Sequence, residues 1–187
     1  MTWKSGLRLN DGATAELSAI VLEAVGHVLP SCGIAPDHDE QPPSIRHSEP
    51  RVVAHIALAG EELRGGLELV IPLAVARAAY PLRYQREPSD HDLLDWTGEI
   101  ANRLIAHIKR HLTRRAMVLH VSTPRAIIAS YIKTAAPSRA NVFTGSFTVG
   151  NHVLSVSFDA TSPSGDLALR PELPETGLGE GDVLLFD

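Results

Sequence analysis

The sequence is short of several things that whole classes of function require. Of its 187 residues only Cys32 is a cysteine, which excludes an intrachain disulfide and any metal site built on a Cys-x-x-Cys pair. It has no basic excess: 17 Lys and Arg stand against 22 Asp and Glu, a formal net charge of -5. Non-specific nucleic-acid binding, which needs a basic face, is therefore not expected. The opening "MTWKSGLRLNDG" lacks the apolar centre of a signal peptide. No run approaches the roughly 18 apolar residues of a membrane span. A phosphate loop is missing too, since "AGEELRGG" is too short and has no Lys-Ser/Thr. These absences lead us to expect a cytoplasmic protein with no membrane partner, whose ligands are proteins or small molecules.

What remains is 44% hydrophobic and 21% charged, the balance of a chain that buries a core. Thr14 to Leu29 carries Leu17, Ile20, Val21, Ala24, Val25, Val28 and Leu29 at helical spacing, with Pro30 and Gly33 as stop signals. Pro36 to Pro50 is a polar, proline-rich loop. "RVVAHIALAG" and "GGLELVIPLA" flank the polar "EELR" as a hairpin. Leu73 to Leu82 reads as a short helix ended by Pro81. Met117 to Pro124 reads as a strand, and Asn141 to Ala160 as two strands around the tight-turn pair Gly150–Asn151. From Asp159 to Asp187 seven acids face one base, Arg170, so that an acidic tail is expected after residue 160, with "GDVLLFD" as a candidate edge strand. The division is one domain over 1–160 and a tail over 161–187. The fold class is α+β: long α-helices packed on an antiparallel β-sheet.

The most helix-like stretch is "DWTGEIANRLIAHIKRHL", Asp95 to Leu112, with Ser89 or Asp90 placed to cap its start. With Glu99 at zero on a helical wheel, Ile100, Ala101, Leu104, Ile105, Ile108 and Leu112 fall between about 100° and about 240°, the buried side. Asn102 falls at about 300°, Asp95 at about 320°, Ala106 at about 340° and Arg103 at about 40°, by the same period. Glu99, Asn102 and Ala106 thus centre an outward stripe, bordered by Arg103 and Arg110. Spacing alone does not separate this from an ordinary solvated face. Asn, though, is a mediocre helix former, costing about 0.6 kcal/mol relative to Ala, and the small Ala106 permits close approach of another surface.

"GEIANRLIAHIKRHL" resembles the signature helix of the CheC/CheX family of chemotaxis phosphatases. The family pattern is Gly-Glu, two residues, Asn, and a small residue four further on; Gly98, Glu99, Asn102 and Ala106 match it in order. The order of elements from about residue 14 to 160 is also similar, and the single E-x-x-N helix resembles CheX more than CheC. The resemblance implies hydrolysis of the aspartyl phosphate of a phosphorylated CheY-like receiver domain. Asn102 would orient the attacking water, and Glu99 would pair with the receiver's lysine. Ala106, Arg103 and Asp95 would belong to the partner-binding surface. It also implies a homodimer, no cofactor of the chain's own, and Mg2+ supplied by the receiver. Position 106 is Ala where Gly is frequent, and Trp96 is bulky beside the motif. A non-catalytic adaptor for a receiver or a motor component is the alternative.

Three other signals carry less. His107 and His111 have the i, i+4 spacing of metal ligands, but no third ligand has a position that can be read from sequence, and a structural role is favoured over a metal-sensing one. Ser122–Thr123–Pro124 reads as a turn, because no G-x-S-x-G surrounds the serine. "LPETG" at Leu173 to Gly177 matches a sorting signal by letter only, since a short acidic end of ten residues follows where a span and basic tail are needed.

Overall fold

The computed structural model describes residues 9–36, 49–81, 87–130, 141–163, 167 and 169–172. In chain order it contains α1 (Asp11–Ser31), β1 (Arg51–Gly60), β2 (Arg64–Pro72), α2 (Leu73–Ala79), α3 (Asp90–Arg114), β3 (Leu119–Val121), β4 (Arg125–Ala129), β5 (Asn141–Val149) and β6 (His152–Thr161). The strands form one six-stranded antiparallel sheet in the order β3-β1-β2-β6-β5, with β4 also on β1. Strand residues alternate faces. On β1 the alternation buries Val52, Ala54, Ile56 and Leu58, and on β6 Leu154, Val156, Phe158 and Ala160. The helices cover that face, so the α+β expectation holds.

Local chemistry sets the helix limits. Asn10 caps α1, its side chain accepting from the Ala13 amide at 2.8 Å. Pro30 does not stop this helix; it lies inside the last turn, and Gly33 makes the stop. Gly33 has φ +81. Its amide donates to the Pro30 carbonyl and the Ile34 amide to the Leu29 carbonyl, the paired bonds of a Schellman ending. α1 is long and apolar enough to cross a membrane, with a hydropathy of 1.3 over its best window. The expectation that no segment approaches a span is corrected to that extent. The apolar residues are nevertheless committed to the core: Leu17, Val21, Ala24 and Leu29 are fully buried beneath the sheet.

The strand expected over Met117 to Pro124 is shorter, and a further strand, β4, follows it. Both pair with β1, β3 at Leu58–Gly60 and β4 at Arg51–His55. Between them Ser122 bridges the gap. Its amide donates to the Ala57 carbonyl at 3.0 Å and its Oγ accepts from the Ala57 amide at 3.0 Å. A side chain stands in for a ladder bond, so the edge continues through a proline. The β5–β6 hairpin turns at Gly150, φ +59, as the sequence suggests. Beyond β6 the chain stays on the domain: Leu167 is buried and its carbonyl accepts from Asn10 Nδ2, while Arg170 pairs with Glu62. The loop residues 37–48 and the expected edge strand "GDVLLFD" lie outside the described residues.

α1 and α3 pack antiparallel, and a ladder of polar contacts runs down their seam. Arg103 donates to Ser31 Oγ at 2.9 Å and to Cys32 Sγ at 3.0 Å. One turn along, the His107 ring lies 5.5 Å from that of His27. Next, His111 Nε2 faces Glu23 at 3.4 Å. At the far end Arg115 joins Glu16 at 2.6 Å, and it also pairs with Glu172. Burial, and then the neighbouring His111, hold the pKa of His107 below 6.5.

Two outcomes follow from this packing. A Cβ at Gly65 would lie 1.9 Å from the Asp159 carbonyl oxygen, inside the β2–β6 ladder. Gly65→Ala should therefore cost on the order of 2 kcal/mol or more in denaturant unfolding. His107 is neutral in the folded chain where the unfolded chain already takes up a proton. Its share of stability is complete above pH 6.5 and is lost as pH falls below that value. Urea titrations at stepped pH should show the wild type losing stability below this point more steeply than His107→Gln.

Candidate active site

The stripe is set by the burial of α3. Ser89 caps the helix with a reciprocal box: its amide and hydroxyl donate to Asp92 Oδ2 at 2.8 and 2.6 Å, and its Oγ accepts from the Asp92 amide at 3.3 Å. From there Leu93, Thr97, Gly98, Ile100, Ala101, Leu104, Ile105, Ile108 and Leu112 turn inward. The wheel places six of these correctly. Leu93, Thr97 and Gly98 extend the same face toward the helix start.

Glu99 and Asn102 are exposed, as are Asp95, Arg103 and Ala106. Among the described residues neither Glu99 nor Asn102 has a hydrogen bond or an ion pair. A carboxylate and an amide thus stand three residues apart, on one side of a helix, with all their hydrogen-bonding capacity free. Ala106, one turn beyond Asn102, leaves a low surface beside it.

The other expected members of the surface are differently occupied. Asp95 is 3.2 Å from His91 on the same face, both well exposed. Arg103 is held by Ser31 and Cys32 at the end of α1, so its guanidinium is tied to the seam. Trp96 lies toward α2 and meets Tyr80 edge-on, at a ring separation of 6.1 Å. Its ring packs in part against the core. Gly98 faces Pro124, where a Cβ would make an ordinary 3.5 Å contact. Packing alone does not demand glycine there.

Sequence reading missed that the segment after β3 lies against α3, with Pro124 beside Gly98. It also missed the partners of the two α3 histidines. Among the described residues one group of three metal-capable side chains comes together, Glu23, His107 and His111. It lies on the α1 side of α3 and not on the stripe. The pairing of helices brings Glu23 there from 84 positions before His107, and no local signal in the sequence marks it.

No protein-family model matches the sequence, and no curated protein matches it. Solved structures do. The chemotaxis protein CheX from Vibrio vulnificus is 15% identical, with a TM-score of 0.63 over 78% of this chain and 99% of that one. A CheC-like superfamily protein from Shewanella sp. PV-4 is 14% identical, with a TM-score of 0.64 over 79% of this chain and 98% of that one. The CheX–CheY–BeF3–Mg2+ complex from Borrelia burgdorferi matches at 15% identity and a TM-score of 0.54, over 77% of this chain and 97% of that one. With its three helices on an antiparallel six-stranded sheet and its exposed motif on α3, this chain has the CheC/CheX-like α+β fold.

Proposed function

We propose that this chain is a phosphatase acting on the aspartyl phosphate of a CheY-type receiver. The observation that carries the reading is the free pair Glu99 and Asn102, side by side on the outward face of α3 in a CheC/CheX-like fold. A protein of this fold has been crystallised with CheY, BeF3 and Mg2+. That supports a receiver as the partner here, and Mg2+ as an ion that arrives with it.

The chemistry asks little of the enzyme. An aspartyl phosphate is already labile, and what is missing is a water held in line with the breaking P–O bond. The Asn102 amide can accept from that water through its oxygen and donate to a phosphoryl oxygen through its nitrogen. It is not a strong base and need not be, since positioning and charge stabilisation dominate phosphoryl transfer. The Glu99 carboxylate is a charge-assisted acceptor for the receiver's lysine and fixes the register in which Asn102 reaches the phosphate. The low surface at Ala106 lets the helix enter the receiver's pocket. The same reading implies a homodimer formed through the sheet face that carries no helix, where Ile127 is 60% exposed.

Release of phosphate from phosphorylated receivers tests the proposal. Asn102→Ala should slow hydrolysis on the order of a hundredfold, the scale for removing one positioned donor, and leave receiver binding intact. Glu99→Ala should weaken both hydrolysis and binding. Binding without any acceleration of hydrolysis, by wild type and both variants alike, identifies an adaptor instead. Light scattering at micromolar concentration should give the mass of two chains, and Ile127→Lys should shift it toward one.

A further inference from the structure

We propose that Glu23, His107 and His111 form a binding site for a Zn2+-class divalent ion on the seam between α1 and α3, independent of the phosphatase reading. The geometry is that of a ligand set. His107 Nε2 and His111 Nε2 are 3.3 Å apart. Glu23 Oε1 lies 3.6 Å from the first and 3.4 Å from the second. In a tetrahedral zinc site with bonds of about 2.0–2.1 Å, ligand atoms stand ~3.3 Å from each other, so these three atoms outline one face of such a tetrahedron.

The surrounding groups prepare that face. Glu172 Oε1 lies 3.2 Å from His111 Nδ1. The same carboxylate pairs with Arg115, so it stands as an acceptor beside the ring. With Nδ1 donating to that carboxylate, the Nε2 of the ring faces the centre of the triangle, where its lone pair can bind an ion. Carboxylate behind imidazole behind metal is the arrangement that orients histidine ligands. Arg115, bonded to both Glu172 and Glu16, keeps that carboxylate in place.

The ligands come from firm supports. His107 and His111 are spaced i, i+4 on a 25-residue helix, and their side chains are only 13% and 15% exposed. Glu23 is more open, at 59%, which gives an ion a route in from solvent. The fourth position falls to water or to His27, one turn from Glu23, whose ring is 5.5 Å from that of His107. Two imidazoles and one carboxylate favour Zn2+ or Co2+ over Mg2+ or Ca2+, which prefer all-oxygen shells.

The test uses the full chain without a histidine tag, stripped with chelator and titrated with Co2+ and then Zn2+. The expected result is one ion per chain at micromolar or lower concentration, the visible bands of four-coordinate Co2+, and their loss on adding Zn2+. His107→Gln and His111→Gln should abolish the bands, and Glu172→Gln should weaken binding by about tenfold to a hundredfold. Glu23→Gln, an exposed change that leaves the core untouched, should weaken binding and turn the bands toward a higher-coordinate form. Circular dichroism checks that each variant is folded. No saturable uptake at micromolar ion overturns the proposal, as does binding that the Glu23 and His107 changes leave unaltered.

Discussion

Burial of one side of α3 fixes the rotation of that helix, and every statement about its outer surfaces rests on it. Leu93, Ile100, Leu104, Ile105, Ile108 and Leu112 are between 0% and 1% exposed. Each is worth about 1.5–3 kcal/mol relative to exposure. A turn by one residue position would bring several of them to water at a cost of several kcal/mol. No polar contact on the outer side could offset that, because exposed ion pairs contribute about 0–1 kcal/mol. The stripe with Glu99 and Asn102, and the seam with His107 and His111, are therefore held about a third of a turn apart on one rigid rod.

That constraint explains what could be read without coordinates. The outward position of Asn102 follows from a strong helical period in which apolar residues recur every three to four positions. The β5–β6 hairpin follows from Gly150, where a backbone at φ +59 suits glycine. Features that depend on distant residues were not legible in the same way. β4 was hidden because Pro124 reads as a stop, and the bond that carries the edge past it comes from the Ser122 side chain to Ala57, 65 residues away. Arg103 looked like a free cation, and its commitment to Ser31 and Cys32 depends on how α1 and α3 cross. Glu23 and Glu172 reach the α3 histidines from distant parts of the chain, one from a neighbouring helix and one from the segment after β6. The i, i+4 pair was visible in the sequence; its company was not.

The charge along α3 adds a direction to the proposed docking. Its first half carries Asp90, Asp92, Asp95 and Glu99, and its second half Arg103, Lys109, Arg110 and Arg114. This order complements the helix dipole, with acids near the positive end and bases near the negative one. With Arg103 drawn to the seam, and Asp95 facing His91, Glu99 is the carboxylate at the boundary between the halves that has no partner among the described residues. A partner laid along the stripe meets an anionic group first, then the Asn102 amide one turn on, then cationic side chains. A lysine followed by a phosphoryl group matches that sequence in sign, and the reverse orientation would set phosphate against Glu99. Electrostatics of this kind act mainly on orientation and association rate, while in the proposed reaction the Asn102 amide, uncharged and without a partner among the described residues, is the group that would hold a water at the phosphorus.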